Sequence, residues 1–341
     1  MSQLLAHPPY GERRDALLLE EMNAVTRHHL ERNEVYRRIW PEWRQARALD
    51  EIPYLHAGVF KHLSLASGEP ARGRTLVSSG TGGAQSRIAL DAEGSRLQAM
   101  SSRAILAEHI GPELAPLLIL DQSAALRSRD AIPARIAAAM AVQPFATETH
   151  FVLDSGGAID WSRVAAAIVK SDHVRVYAIT SLLWTAWTET MPDAMRAELG
   201  RVRIDFVHSG GWKKLEAIRV DRPTLDRALL GAAEAGSRVV DFYGLVEQNG
   251  ILFPLCDAGF RHAPLWSAVI VRDPFTLRAL NGEEGLLQLM NPLARGVPSH
   301  SVLTEDVGRV VMGDCPCGRM GRRFELIGRL PKAEVRGCAN V

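Results

Sequence analysis

At 341 residues the chain is long enough to bury a sizeable core, as one large domain or two. Hydrophobic residues make up 47% and charged residues 23%, the balance of an ordinary globular protein. Forty basic against thirty-nine acidic residues leave a formal charge of +1, which removes the electrostatic case for a nucleic-acid or anionic-membrane partner and points to a small or shape-recognised one. No charged segment leads into an apolar run at 1–9, and no uninterrupted apolar stretch of about 20 residues occurs. Neither a secretory signal nor a membrane span is expected. Four cysteines in such a length do not make a disulfide scaffold, so reduced thiols in a cytoplasmic protein are the expectation.

In chain order, 12–49 reads as helix, because Leu17, Leu18, Met22, Val25, His29 and Leu30 recur mostly at three- and four-residue intervals among Arg and Glu. A proline-interrupted connector covers 52–63. The apolar Leu76-Val77 then breaks into Ser78-Ser79-Gly80-Thr81-Gly82-Gly83, and an apolar segment resumes at Ile88, which is the composition of strand, tight loop and return. Glycine lets backbone N–H groups come close to an anion, and hydroxyls add donors without bulk. The loop therefore reads either as a phosphate cradle or as a plain surface turn. It is not a Walker loop, since no Gly-Lys-Ser/Thr follows, nor a dinucleotide fingerprint, since the glycines are not spaced G-x-G-x-x-G.

Next come a helix over 94–110, a buried strand over 116–121, an alanine-rich helix over 131–142 and a strand over 149–153. A helix over 161–170, a strand over 174–179, a helix from 183 and a strand over 202–207 continue the series. Strands alternating with helices imply α/β layering with a largely parallel sheet. Beyond about residue 256 the texture changes to short, turn-bounded β segments at 268–274, 285–290 and 308–312, which predicts a smaller β-rich subdomain.

Four further constellations carry chemistry. Val207-His208-Ser209-Gly210-Gly211-Trp212-Lys213-Lys214 ends a strand in a glycine turn beside an aromatic and two of only five lysines. In Asp241-Phe242-Tyr243-Gly244-Leu245-Val246-Glu247, a Tyr-Gly turn beyond a strand's carboxyl end is placed for an aromatic shelf, and Glu247 for a metal-binding carboxylate. Asp306 stands just ahead of a glycine and can take both hydroxyls of a ribose, and Gly328-Arg329 supplies a cation. Cys315-Pro316-Cys317 is a knuckle able to clasp a metal, and Cys256 and His262 offer two more ligands. Three thiolates and an imidazole make a closed tetrahedral zinc site; buried structural cysteines are the plain alternative.

Taken together, Ser-Ser-Gly-Thr-Gly-Gly at 78–83, Tyr-Gly-x-x-Glu at 243–247, Thr-Glu-Asp at 304–306 and Gly-Arg at 328–329 resemble the ordered motifs of the adenylate-forming superfamily of acyl-CoA synthetases and carboxylate-activating ligases. Phe60-Lys61, the turn at 208–214, 243–248, Arg272-Asp273-Pro274 and the tail at 328–338 resemble one branch of it more closely. That branch is the acyl-protein synthetases, the fatty-acid-activating component of the bacterial luminescence fatty-acid reductase and its relatives. The likeness runs from about Ile52 to Cys338.

The resemblance implies an α/β fold like the large N-terminal domain of adenylate-forming enzymes, with layered α/β sheets, a smaller β-rich subdomain, and the C-terminal domain absent or reduced to a tail. The expected organisation is a helical segment at 1–60 packed on the main domain, an adenylate-forming domain at 61–327, and a tail at 328–341 carrying Cys338. The implied reaction has two steps: a carboxylate attacks the α-phosphate of ATP to give acyl-adenylate and pyrophosphate, and a thiol then takes the acyl group. By the same resemblance Ser78, Ser79, Gly80, Thr81, Gly82 and Gly83 hold the β/γ-phosphates and Glu247 binds Mg²⁺. Tyr243, Gly244 and Gly211 frame the adenine, Asp306 takes the ribose, and Arg329 the ribose or phosphate. Zinc at Cys256, His262, Cys315 and Cys317 has a look-alike in ligases of the phenylacetate-activating type.

Ordinary members of the superfamily carry a catalytic lysine beyond the Gly-Arg hinge, whereas only twelve residues follow Arg329 here. Lys332 is the favoured substitute, with Lys213, Lys214 or a partner protein as others. Cys338, on a Gly-flanked tail near Arg336, is expected to attack the acyl-adenylate and pass the acyl group to an acyl reductase or carrier. The alternatives are a ligase in which coenzyme A or a carrier thiol is the acceptor, and a catalytically idle subunit. Trp184, His208 and Trp212 are candidates to line the pocket of the small carboxylic acid, whose identity is not legible.

Overall fold

The protein is described by a computed structural model over residues 2–67, 75–78, 84–123 and 131–330, the side chains of Lys213 and Lys214 excepted. Its central sheet has five parallel strands, Ala115–Ile119, Ala146–Phe151, His173–Ile179, Arg203–Ser209 and Arg238–Tyr243. The short antiparallel Phe253–Pro254 lies at one edge, beside Arg238–Tyr243. From the first strand the chain steps out to Ala146–Phe151, then crosses back to lay His173–Ile179 on the other side of Ala115–Ile119. Crossovers that diverge in this way leave a crevice beyond the carboxyl ends of the strands.

Side chains alternate across the sheet with a period of two, so each face feeds its own core. Leu117 and Ile119 join Tyr177, Val207, Val240 and Phe242 on one face, covered by the helices Ala92–Ile110 and Ala134–Val142, and the helix Asp15–Arg32 adds Leu18, Met22 and Val25 to the same apolar cluster. Leu118 and Leu120 join Val174, Val176, Ile204 and Phe206 on the other, covered by Trp161–Ile168, Asp193–Leu199 and Arg222–Leu230.

A second, antiparallel sheet takes Ala268–Arg272, Ala279–Leu280, Glu284–Met290, Ser301–Val311, Arg323–Arg329 and Arg261–His262. Leu55–His56 joins it in parallel, opposite Val302 and Leu303. A third, small sheet sets Thr75–Val77 between Arg87–Ala89 and Ala131–Pro133. The layered α/β architecture with a β-rich part is thus as expected.

Strands expected at 149–153 and 308–312 run over Ala146–Phe151 and Ser301–Val311, and three further boundaries differ for a local reason. The helix expected over 12–49 is broken at Asn33, whose side chain caps a new helix, Glu34–Ile39, by accepting from the Tyr36 N–H at 2.8 Å. The alanine-rich helix begins at Ala134 rather than 131, because Pro133 holds Ile132 extended and 131–133 pair with Thr75–Val77. Gly328 and Arg329, read as the start of a tail, belong to the strand Arg323–Arg329.

A buried polar knot ties the first helix to the antiparallel sheet. His29 places Nδ1 2.8 Å from Ser67 Oγ and Nε2 3.1 Å from the Ala294 carbonyl, and it stacks at 4.9 Å on His300, whose Nε2 lies 3.0 Å from Thr26 Oγ1. Burial lowers His300 from 6.5 to about 3 and His29 well below its ordinary value. As pH falls below about 6.5 the unfolded chain takes up protons that the folded one refuses, so stability is full above that pH and declines below it. Urea titrations should therefore show stability falling by about 1.4 kcal/mol per pH unit for each histidine below pH 6. His300→Asn should make that slope shallower.

Candidate active site

A cavity of about 1660 Å³ opens beyond the carboxyl ends of the central strands, between all three sheets. Ser78 reaches it from the small sheet, Gly211, Tyr243, Gly244 and Glu247 from turns of the central sheet, and Asp306 and Arg329 from the antiparallel sheet. These residues are spread over 252 positions of sequence and share one lining. Ser79, Gly80, Thr81, Gly82, Gly83, Lys332 and Cys338 lie outside the described residues.

Asp306 is the best-held carboxylate of the lining. Strands Ser301–Val311 and Arg323–Arg329 pair with Asp306 opposite Arg329, so register alone brings the two charges together, with Arg329 Nε donating to Oδ1 at 3.0 Å. The Tyr243 hydroxyl donates to Oδ2 at 2.7 Å from the central sheet. Burial and the Asp306 carboxylate both hold the Tyr243 phenol well above its ordinary range, so it remains a donor. Two residues on, the ladder shifts register at Gly308, where a Cβ would come 2.4 Å from the Glu325 carbonyl oxygen. Only glycine permits that approach.

Glu247 lies in the turn after Tyr243-Gly244 and is 6% exposed. Burial raises its carboxyl pKa, opposed by Ser86 and the Lys61 ammonium and reinforced by Asp306. Gly210 and Gly211 both have positive φ, +80° and +61°, and turn the chain sharply beyond Ser209 at the strand's end. His208 is buried and neutral: burial lowers its pKa, Nδ1 sits 2.9 Å from Thr180 Oγ1, and Nε2 has no partner among the described residues. Trp212 lines the cavity at 7% exposure. Trp184 is not among the lining residues; it packs against Trp212 at 6.4 Å between ring centres, so it supports the wall from behind.

Three lining residues escaped the sequence reading of roles. Asp241 shares a strand face with Tyr243 by the two-residue period and is held by Arg261 Nη2 at 2.6 Å. That period was the signal for it. Arg261 itself arrives from the short strand Arg261–His262, and no local pattern marks it. Lys61 follows the fully buried Phe60 on a single helical turn and lies 3.6 Å from Glu305 Oε1.

Away from the cavity, Cys256, His262, Cys315 and Cys317 present ligand atoms that all lie within 4.8 Å of one another. Cys256 Sγ and Cys315 Sγ are 3.8 Å apart, and Cys317 Sγ is 3.4 Å from His262 Nε2. Two thiolates each about 2.3 Å from a tetrahedral zinc ion stand about 3.8 Å apart, so the residues fit that ion. Burial pushes the Cys256 thiol up to about 11 and the His262 imidazole down to about 4, so a thiolate there calls for a cation while the histidine is already neutral. Arg319, next to the knuckle, donates to the Glu108 carbonyl at 3.0 Å and lies over the Tyr10 ring. The knuckle is thereby docked on the long helix and the N-terminal segment. No helix among the described residues is long and apolar enough to cross a membrane.

Comparison with known proteins finds likenesses in both sequence and fold. The long-chain-fatty-acid–luciferin-component ligase of Aliivibrio fischeri is 28% identical over 143 residues, 41% of this chain and 37% of that relative. The crystal structure of 2-hydroxyisobutyryl-CoA ligase in an open conformation with 2-HIB-AMP and CoA superposes with a TM-score of 0.69 at 17% identity, covering 95% of this chain and 77% of that one. An ATP-bound RpMatB-BxBclM chimera superposes with a TM-score of 0.50 at 15% identity, covering 75% and 47%. The fold is accordingly that of adenylate-forming ligases. The family described as acyl-protein synthetase, LuxE, matches residues 10–341, and the chain belongs to that family.

Proposed function

We propose that the protein activates a carboxylic acid with ATP and transfers the acyl group to a thiol, that of Cys338 and then of an acyl-accepting partner protein. The observation that carries this reading is the Asp306 carboxylate, clamped by Tyr243 and Arg329 in the same cavity as Glu247 and Ser78. A carboxylate held in this way is a preset acceptor for the two hydroxyls of a ribose. Tyr243, Gly244 and Gly211 frame the adenine, Ser78 and the residues up to Gly83 take the β/γ-phosphates, and Trp212 and His208 border the acid. Family membership and the ligase relative support the same assignment.

In the first step a carboxylate oxygen bonds to the α-phosphorus, and the bond to the β-phosphate oxygen breaks with its electron pair on pyrophosphate. The protein's part is positioning and charge stabilisation within a crevice that limits water. Glu247, a buried carboxylate beside Asp306, fits a Mg²⁺ ion carried in with the phosphates, which would neutralise charge on them. In the second step a thiolate attacks the carbonyl carbon and AMP leaves with the C–O electron pair. The Leu330 N–H donates to the Glu305 carbonyl at 2.9 Å, so the described chain ends beside Asp306. Transfer to coenzyme A instead is the second reading, favoured by the likeness to a ligase solved with CoA.

Asp306→Asn and Glu247→Gln should each lower ATP–pyrophosphate exchange by about 10²-fold or more. Near-normal exchange in both would reject the nucleotide assignment. With radiolabelled acid and ATP, label should remain on the protein and disappear in Cys338→Ser; label on coenzyme A, retained in that variant, selects the second reading. We also propose a structural Zn²⁺ at Cys256, His262, Cys315 and Cys317. Metal analysis should find one zinc per chain, and Cys317→Ser should lose it together with about 4 kcal/mol, the stabilisation from a ligand at 1,000 times its dissociation constant. Full stability and no zinc in the unaltered protein would contradict this.

A further inference from the structure

We propose that Lys61 is a catalytic residue, whose ammonium contacts the reacting anions, the substrate carboxylate and the α-phosphate it attacks. The proposal rests on the nucleotide reading above. It starts from how the cations around the cavity are engaged. Five arginines line it among the described residues, and each is held in a hydrogen-bonded ion pair. Arg135 pairs with Asp121 at 2.5 Å, Arg219 with Glu216 at 2.8 Å and Arg222 with Asp226 at 3.1 Å. Arg261 pairs with Asp241 at 2.6 Å and Arg329 with Asp306 at 3.0 Å. Lys61 differs: its nearest carboxylate oxygen, on Glu305, is 3.6 Å away, beyond hydrogen-bond distance. Both side chains are about a third exposed, at 32% and 34%, so little holds the ammonium in place.

The wall it faces needs a mobile cation. Glu247, Glu305 and Asp306 all line the cavity, and of these three only Asp306 accepts a hydrogen bond from an arginine among the described residues. The charge of Lys61 already acts on Glu247 as well as on Glu305. A carboxylate and a triphosphate entering beside these groups meet like charge unless an ammonium turns to them. The backbone under Lys61 is rigid enough to aim it. Phe60 is anchored at 1% exposure, Leu55–His56 pairs with Val302 and Leu303, and the Ala57 N–H donates to the Leu303 carbonyl at 2.9 Å. The helical turn that bears Lys61 is therefore anchored through Leu55–Ala57 to the strand that bears Asp306, and the four-carbon stem supplies the reach.

ATP–pyrophosphate exchange on the full chain, with Lys61→Ala, Lys61→Met and Glu305→Gln, tests the proposal. Both lysine variants should lose about 10²-fold or more in kcat while the KM for ATP moves little and the melting temperature without ATP is unchanged. Methylammonium should restore part of the activity of Lys61→Ala, and Glu305→Gln should stay within about threefold of the unaltered protein. Exchange within about threefold in either lysine variant overturns the assignment, as does an equal loss in Glu305→Gln, which would mark a structural ion pair. Absence of exchange in the unaltered protein overturns the nucleotide reading and this proposal with it.

Discussion

The site depends on one strand pairing. Asp306 and Arg329 face each other because Ser301–Val311 and Arg323–Arg329 are locked in an antiparallel ladder, and Tyr243 reaches the same carboxylate from a different sheet. A carboxylate that is 7% exposed is costly without partners, so the three side chains stabilise one another only while both sheets keep their spacing. The clamp couples the parallel sheet, beyond whose strands the cavity opens, to the antiparallel sheet that lines another part of it. A one-residue slip of Ser301–Val311 would turn Asp306 to the opposite face, and one of Arg323–Arg329 would turn Arg329 away from it.

The same strand pair links two chemistries. Beyond Val311 the chain runs through Cys315 and Cys317 before returning as Arg323–Arg329. One end of the pair therefore carries the soft-ligand cluster and the other the Asp306 clamp. Cys256 and His262 come from the chain just after Phe253–Pro254 and from Arg261–His262, and Arg319 fastens the knuckle to the long helix. With the proposed metal ion bound, the cluster would pin the turn and limit sliding of the strands on which Asp306 and Arg329 sit.

Much of this architecture was legible in sequence because its signals are local. Apolar runs bounded by turns marked four of the five parallel strands of the central sheet, and the switch to short segments near residue 256 marked the antiparallel sheet. Tyr243, Glu247, Asp306 and Arg329 were legible through short motifs with fixed internal spacing. The four candidate metal ligands were marked by residue type, since thiols are rare in this chain. Boundaries were less legible where pairing overrides propensity: 131–133 carry helix-forming neighbours yet pair as a strand, and 323–329, with its interspersed charges, gave little sign of extending a sheet.

Local chemistry along the chain therefore determined the strand–helix alternation, the glycine turns and the identities of the polar groups. Only the tertiary structure decided which of those groups meet. Trp184 and Trp212 look alike in sequence, but one lines the cavity and the other stands behind it. Asp241 and Lys61 stand in quoted motifs without a role there and Arg261 in none, and all three join the lining because segments distant in sequence are placed side by side. The physical reason is range: turn conformation and apolar periodicity act over a few residues, whereas ion pairing at a site depends on sheet register between segments that sequence spacing does not constrain.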